Sequence, residues 1–440
     1  MGLGVQGGGL GAARYFARHD AQVTVTDLKA SGDLQRSLDV LSTFENITYR
    51  LGEHREEDFT QADCIVKGPS VQWTNIFVQE AMKRKIPVIM ETAYFAKHTS
   101  ARVIGVTGTR GKSTTTRYIY ETLKRFYTSG NVFIAGNVPG TCAIELLDKA
   151  NANDIVVLEL SSWQLSGFHR VKVSPQIAVF TNIYEDHLNY YHVDMKKYVH
   201  DKTAIFNYQK VDDVLISPTE TLAILSSYNV KIPSRVIACQ ADDFSGDLQH
   251  VRGAHNRLNA ALALSAIASI LPKLTREDIA EHIRGIEGMQ FRQEILGSID
   301  NVVVVNDSTS TTPISAITAI KTFKDKKVVL VLGGNSKRLS VEELIKIIEE
   351  NKNNILSIVL LKGTMTEEIV PLLSAIPDLR ISSVYADFDA AIRESVKRAT
   401  ESHEPAYLLF TPGATSFAQF RNEFERGEKF SQIISDIMKK

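Results

Sequence analysis

Val103-Ile-Gly-Val-Thr-Gly-Thr-Arg-Gly-Lys-Ser-Thr-Thr-Thr116 decides how the middle of this chain folds. Val103 to Val106 is an apolar run that reads as a buried strand, and helical spacing begins after Ser113. Between them lies Thr107-Gly108-Thr109-Arg110-Gly111-Lys112-Ser113. A strand that empties through a glycine-bearing turn into a helix N-terminus makes an anion cradle. Backbone N–H groups converge, the helix dipole favours negative charge, Lys112 adds a cation, and the Ser113 hydroxyl can ligate Mg²⁺. Gly105 stands six residues before Gly111, so the loop is a shortened relative of the strict G-x-x-x-x-G-K-[ST] pattern. A surface turn that happens to contain Gly-Lys-Ser is the alternative, and the strand before and helix after argue against it. The expected ligand is a nucleoside triphosphate, held by Gly108, Thr109, Gly111, Lys112, Ser113 and Thr114.

Working outward, 440 residues are too many for one ordinary core and imply two or three domains. A 44% hydrophobic and 23% charged composition is that of a soluble globular protein. The formal net charge of −1 and the lack of a Lys/Arg block point away from nucleic acid. Cys64, Cys142 and Cys239 are far apart, without metal-type spacing, and fit free thiols in a reducing compartment. No apolar stretch reaches the roughly 18–20 residues that span a bilayer. The start of the chain lacks a secretory pattern. The expectation is a cytoplasmic, monomeric protein without membrane or nucleic-acid partners.

Gly2-Leu-Gly4-Val-Gln-Gly7 matches G-x-G-x-x-G, a helix follows, and Val23–Asp27 is a strand ending in an acid 20 residues beyond Gly7. This is the dinucleotide fingerprint, with glycines for close approach to a pyrophosphate and the acid for a ribose hydroxyl. The strand that should precede the glycines is missing from the pattern, since Met1 already lies in the turn. Strands at Ala62–Lys67 and Ile86–Met90 and a helix at Phe77–Arg84 complete a small doubly wound domain. The pattern turns polar over Phe95–Arg102, which places a boundary near residue 96.

After the phosphate loop, Val132–Ala135, Asp154–Leu160, Gln176–Phe180 and Asp213–Ile216 read as strands. Glu159 closes an otherwise apolar strand where ligands bind in open α/β sheets, and can offer Mg²⁺ a hard oxygen. A surface Glu is the alternative. Asp186-His187 at the next strand end can serve a metal or phosphate, or be a helix cap with a bystander histidine. Lys202 lies on an amphipathic helix, where a lysine ordinarily keeps its head in water. Asn256 and Asn259 share a helix face and could meet a purine edge, or simply cap the helix. From Met289 a second open α/β pattern starts, with strands at Val302–Val305, Lys327–Leu332, Asn354–Leu361, Ile381–Tyr385 and Ala406–Phe410. Helices are expected at Pro313–Phe323, Val341–Glu349, Phe388–Ala399 and Ser416–Phe424. The three expected domains are residues 1–96, 97–288 and 289–440: Rossmann-like, P-loop ATPase-type and Rossmann-like, all α/β.

In order, these stretches resemble the Mur ligases over essentially the whole chain. They are Thr107–Ser113, Gly136-Asn137, Glu159–Leu165, Asn182–His187, Tyr198–Lys202, His255–Asn259, Arg292, Asn306-Asp307-Ser308, Gly333-Gly334 and Thr411–Ser416. The resemblance implies an ATP-dependent amide ligase of peptidoglycan precursor synthesis. It would add an amino acid, D-glutamate first, to UDP-N-acetylmuramoyl-L-alanine through an acyl phosphate. The amino-terminal domain would bind the UDP-sugar through Gln6 and Asp27, with Asn137 facing the substrate. Lys112 and Ser113 would hold ATP and Mg²⁺. Glu159, His187 and Lys202 would serve two Mg²⁺ sites, Lys202 as a carbamate. Lys112, His187 and Lys202 are the catalytic set. Asn259 would meet adenine, and Arg292 and Asp307 would position nucleotide. Thr311, Lys337 and Ser416 would hold the amino acid's side-chain carboxylate.

Two residues depart from the family pattern. Arg110 replaces the usual Asn of the loop. Thr309 replaces a lysine that would pair with the amino acid's α-carboxylate, a charge-assisted contact of about 1.5–3 kcal/mol. The alternatives are a related ligase for another amino acid and a non-catalytic nucleotide-binding paralogue. A nicotinamide-dependent oxidoreductase is disfavoured by the second phosphate loop.

Overall fold

The strand predicted before the phosphate loop lies at the centre of a six-stranded sheet. The structure, a computed structural model, describes residues 1–440 except 5–6, 187–189, 192–193, 250, 252, 403, 417–418 and 440. The predicted roles of Gln6 and His187 therefore fall outside the described residues. The chain divides into two compact units: Met1–Tyr184 with Met195–Gly246 and Arg257–Ile283, and Glu185–Asp194 with Asp247–Asn256 and Arg284–Lys440.

The first unit carries strands β1 (Val23–Asp27), β2 (Ile47–Leu51), β3 (Ile65–Val66), β4 (Val88–Ile89), β5 (Arg102–Thr107), β6 (Val132–Gly136), β7 (Ile155–Glu159), β8 (Ile177–Phe180), β9 (Val214–Pro218) and β10 (Arg235–Cys239). β1–β2 and β3–β4 are parallel pairs. The backbone before the first glycine turn joins them without being a strand. Gly2 N donates to Thr26 O at 2.8 Å, Met1 N to Val66 O at 2.9 Å, and Gly68 N to Met1 O at 2.8 Å. The large sheet has the order β10-β9-β8-β5-β7-β6 and every pairing is parallel. Its central strands are uniformly apolar because helices cover both faces. Val103, Val156, Leu158 and Phe180 pack with Phe95, Leu165 and Phe168 in one core. Chain order reverses at β5, so the crevice at its carboxyl end is where such sheets bind ligands. Residues 91–98, where the polar pattern begins, form the helix Glu91–His98.

The second unit carries β11 (Glu294–Ile299), β12 (Val302–Asn306), β13 (Lys327–Gly333), β14 (Ile355–Leu361), β15 (Ile381–Tyr385) and β16 (Ala406–Phe410). Their order is β11-β12-β16-β13-β14-β15, parallel except for β11. Alternation along β13 sends Val328, Leu330 and Leu332 into one core and Val329 and Val331 into the other. The helix expected at Ser416–Phe424 is displaced. It runs Glu423–Met438, because Asn422 caps it, accepting from Phe424 N at 3.0 Å and Glu425 N at 2.9 Å. Among the described residues no helix is long and apolar enough to cross a membrane. The three cysteines are free thiols.

Candidate active site

The loop after β5 needs its glycines. Gly111 adopts φ 80°, ψ −9°, a left-handed conformation, and caps the helix Lys112–Phe126. A Cβ there would overlap the Asn259 carboxamide, so Asn259 lies directly on the loop. Gly108, at φ +146°, has no room for a Cβ against the Thr181 hydroxyl. Lys112 Nζ donates to the carbonyls of Gly108 and Thr109, both at 3.1 Å, so the cation sits over the turn. Ser113 and Thr114 open the helix.

Arg110 ties the loop through its backbone. Its N–H donates to Asn182 Oδ1 at 2.8 Å, and its carbonyl accepts from Thr181 Oγ1 at 2.5 Å and Asn182 Nδ2 at 3.1 Å. These bonds belong to any residue at position 110. They join the loops that follow β5 and β8 without calling on a particular side chain. Thr109 adds a second tie: its hydroxyl donates to Tyr184 O at 3.2 Å, accepts from Tyr184 N at 2.9 Å and meets Tyr198 OH at 3.0 Å.

Lys202 is not the solvated surface lysine that a helical position ordinarily implies. It is 2% exposed on the helix Met195–Thr203, and its Nζ donates to Gly108 O at 2.7 Å and Thr107 Oγ1 at 3.4 Å. Two lysine ammonium groups thus converge on one loop carbonyl, which concentrates positive charge where a phosphate would lie. Glu159 is 3% exposed at the end of β7, and its Oε1 accepts from Asn137 Nδ2 at 2.9 Å. Asn137 N donates to Glu159 O at 2.7 Å, so Asn137 and Glu159 form one fixed pair. The first-unit residues Lys112, Lys202 and Asn259 all abut the loop after β5.

Asp27 is largely committed to its own turn. Its Oδ2 accepts from Gly4 N at 3.1 Å and its Oδ1 from Lys29 N at 2.9 Å, and the residue is 8% exposed. A ribose hydroxyl would share these oxygens.

In the second unit, Lys337 Nζ donates to Thr311 Oγ1 at 3.4 Å and lies 3.8 Å from Asp186 Oδ1. Ser416 Oγ is buried, with no hydrogen-bond partner among the described residues. Thr309 is turned inward: its N–H and hydroxyl donate to Phe291 O at 3.1 Å and 2.8 Å. Asp307 is pushed up to about 7 by burial, opposed by hydrogen bonds from the Thr411 hydroxyl and Gln293 N and by the charges of Arg292 and Arg426.

Family models for the Mur ligase middle domain and the MurD-like N-terminal domain match residues 106–263 and 1–90. The UDP-N-acetylmuramoylalanine–D-glutamate ligase of Roseiflexus sp. (strain RS-1) is 33% identical, covering 99% of this chain and 98% of that protein. The chain belongs to the Mur ligase family. The Aquifex aeolicus enzyme of the same name is 33% identical over 85% of this chain and 88% of that protein. Among solved structures, a Mur ligase from Thermotoga maritima described as a UDP-N-acetylmuramate-alanine ligase superposes with TM-score 0.61 at 17% identity, covering 98% of each chain. A MurF ligase from the same organism, solved with ADP, gives TM-score 0.57 at 17% identity over 86% of this chain and 94% of that one. At such identity these two establish the fold.

Sequence reading missed two residues of this Mur ligase. Arg426, 2% exposed, donates to Ser308 Oγ at 3.1 Å, Ser308 O at 2.7 Å and Ala414 O at 3.1 Å, clasping the loops after β12 and β16. Burial lowers its pKa to about 10. In the sequence it is one of several charged residues on an ordinary helix, and nothing marks it. Glu91 is equally unmarked, one acid at a helix start.

Proposed function

We propose that this Mur ligase joins D-glutamate to UDP-N-acetylmuramoyl-L-alanine at the expense of ATP, releasing ADP and phosphate. The near-full-length match to D-glutamate ligases carries this reading, and the phosphate loop supports it. The substrate's free carboxylate attacks the γ-phosphorus, breaking its bond to the ADP oxygen and forming an acyl phosphate. The amine of the amino acid then attacks the acyl carbon, phosphate leaves, and the amine's proton is lost. Positioning and charge stabilisation do most of such work.

Lys112 and the loop N–H groups bind the triphosphate, Asn259 the adenine, and Arg292 and Asp307 orient nucleotide. Gly108 and Gly111, which have no room for a Cβ against Thr181 and Asn259, let the backbone turn as tightly as a phosphate loop needs. Ser113, Glu159, His187 and a carbamylated Lys202 would hold two Mg²⁺, a donor set of hard oxygens and one imidazole. Bound there, Mg²⁺ would neutralise charge on the transferring phosphoryl group. Carbamylation joins Lys202 Nζ to CO₂, and the ammonium gives up two protons, exchanging a cation for a carboxylate. Gln6, Asp27 and Asn137 serve the UDP-sugar; Thr311, Lys337 and Ser416 serve the glutamate side chain. The three domains are 1–96, 97–288 and 289–440, and the enzyme works as a cytoplasmic monomer.

Thr309 favours a second reading of the amino acid alone, because its hydroxyl is spent on Phe291 O and no lysine ammonium stands there. The test is ATP-, Mg²⁺- and UDP-MurNAc-L-Ala-dependent phosphate release across a panel of amino acids. D-glutamate as the best acceptor is expected. A different best acceptor selects the second reading, and no release with any acceptor sinks both.

A further inference from the structure

The segment 137–145 leads from Glu159, at the end of β7, to the helix Gly8–Arg18 near the start of the chain. Asn137 welds one end to Glu159 through the two hydrogen bonds at 2.7 and 2.9 Å. At the other end Cys142 Sγ donates to Gly8 O at 3.4 Å. Gly11 has no space for a Cβ against Cys142, and a Cβ on Gly7 would meet Thr141 O at 3.2 Å. Arg14 closes the contact with a bidentate pair to Glu145 at 2.5 and 2.6 Å.

Glu91 sits beneath this junction. It is 9% exposed, on a different helix from either partner. Its Oε2 accepts from Ile144 N at 3.2 Å and Cys142 Sγ at 3.6 Å, and Ala143 N also donates to the carboxylate. Backbone N–H groups and a thiol proton shared with Gly8 O face this oxygen, so the site calls for an acceptor there. Burial raises its pKa to about 7, and those donors hold it from rising further. Such a group is costly to keep inside unless its geometry matters.

We propose that Glu91 is a positioning residue, fixing segment 137–145 so that a substrate anchored at the glycine turn presents its carboxylate to the phosphate loop. The inference rests on the substrate reading above. Glu91 touches no ligand; it acts through Asn137 at one end of the segment and the first turn of the helix Gly8–Arg18 at the other. Its loss therefore loosens the UDP-linked substrate and leaves the ATP loop intact, because Lys112 is held over that turn by the Gly108 and Thr109 carbonyls.

The experiment compares E91A, E91Q and C142A with the wild type in steady-state kinetics, with melting temperatures alongside. E91A should raise KM for the UDP-linked substrate at least tenfold while KM for ATP stays within twofold. E91Q keeps one acceptor oxygen and should recover part of that loss, and C142A should give a smaller rise in the same direction. Equal rises in both KM values, or unchanged KM values with a lowered melting temperature, overturn the proposal. If the wild type itself turns over no UDP-linked substrate, the functional reading has failed. Calorimetric titration of UDP then decides on Glu91 alone: a tenfold weaker affinity in E91A supports the role, and no difference overturns it.

Discussion

Gly108→Ala tests the phosphate loop most sharply. At φ +146° a side chain is strained, which costs about 1–3 kcal/mol. The new Cβ would also collide with the Thr181 hydroxyl and lie 3.0 Å from the backbone N of Asn182. Thr181 can rotate away only by giving up its bond to Arg110 O, about 0.5–1.5 kcal/mol. Asn182 N is backbone and cannot rotate away. The total, about 1.5–4.5 kcal/mol, falls on the loop, so at 1.36 kcal/mol per decade ATP affinity should drop by roughly 10- to 2000-fold. Equilibrium titration with a fluorescent ATP analogue measures this, with thermal melting to separate loop distortion from unfolding. Adding Thr181→Ala removes the collision while leaving the backbone strain. The double variant should therefore bind more tightly than G108A, a non-additivity that reports direct contact. ATP affinity within threefold of wild type in a folded G108A protein would refute the assignment of this turn as the phosphate cradle.

Thr309→Lys removes the hydroxyl bond to Phe291 O, costing about 0.5–1.5 kcal/mol of stability, but supplies a cation. KM for D-glutamate should fall at least threefold, and an unchanged or higher KM would show that position 309 does not face a carboxylate. Asp307, raised to about 7 from 3.8, and Glu91, raised to about 7 from 4.5, hold protons in the folded state that the unfolded chain has released. Each therefore lowers stability as pH rises from about 4.5 to 7, by up to ~1.4 kcal/mol per pH unit, and adds nothing further above about 7. Urea unfolding at pH 5 and pH 8 should show D307N gaining on the wild type by about 1–4 kcal/mol between them; a constant difference contradicts the buried-acid account. Trp73→Phe removes the indole N–H bond to Ser166 Oγ at 2.8 Å and weakens the contacts of Lys67 at 4.2 Å and Arg170 at 4.6 Å. A loss of about 1–3 kcal/mol in unfolding free energy with unchanged ATP affinity is expected, and an ATP defect would contradict it.

Local pattern determined much of this protein. A short apolar run of about four to six residues bounded by turn residues reads as a buried strand, so β5, β7, β8, β12, β13 and β16 were legible from the pattern. The phosphate loop was equally plain, because an anion cradle needs glycine where the backbone turns left-handed, and only glycine does so cheaply. The helix start at Glu423 was missed because Asn422 competes with an equally helical run before it, and only the chain's path chooses between them. Tertiary structure alone decided the rest. Lys202 became a buried cation on the loop because its helix turns that face toward β5 rather than solvent. The backbone of residue 110 ties its loop to Asn182, and nothing in the structure explains the arginine side chain. Glu91 and Arg426 bind carbonyls and amides far away in sequence, and no spacing rule anticipates partners that only folding brings within 4 Å.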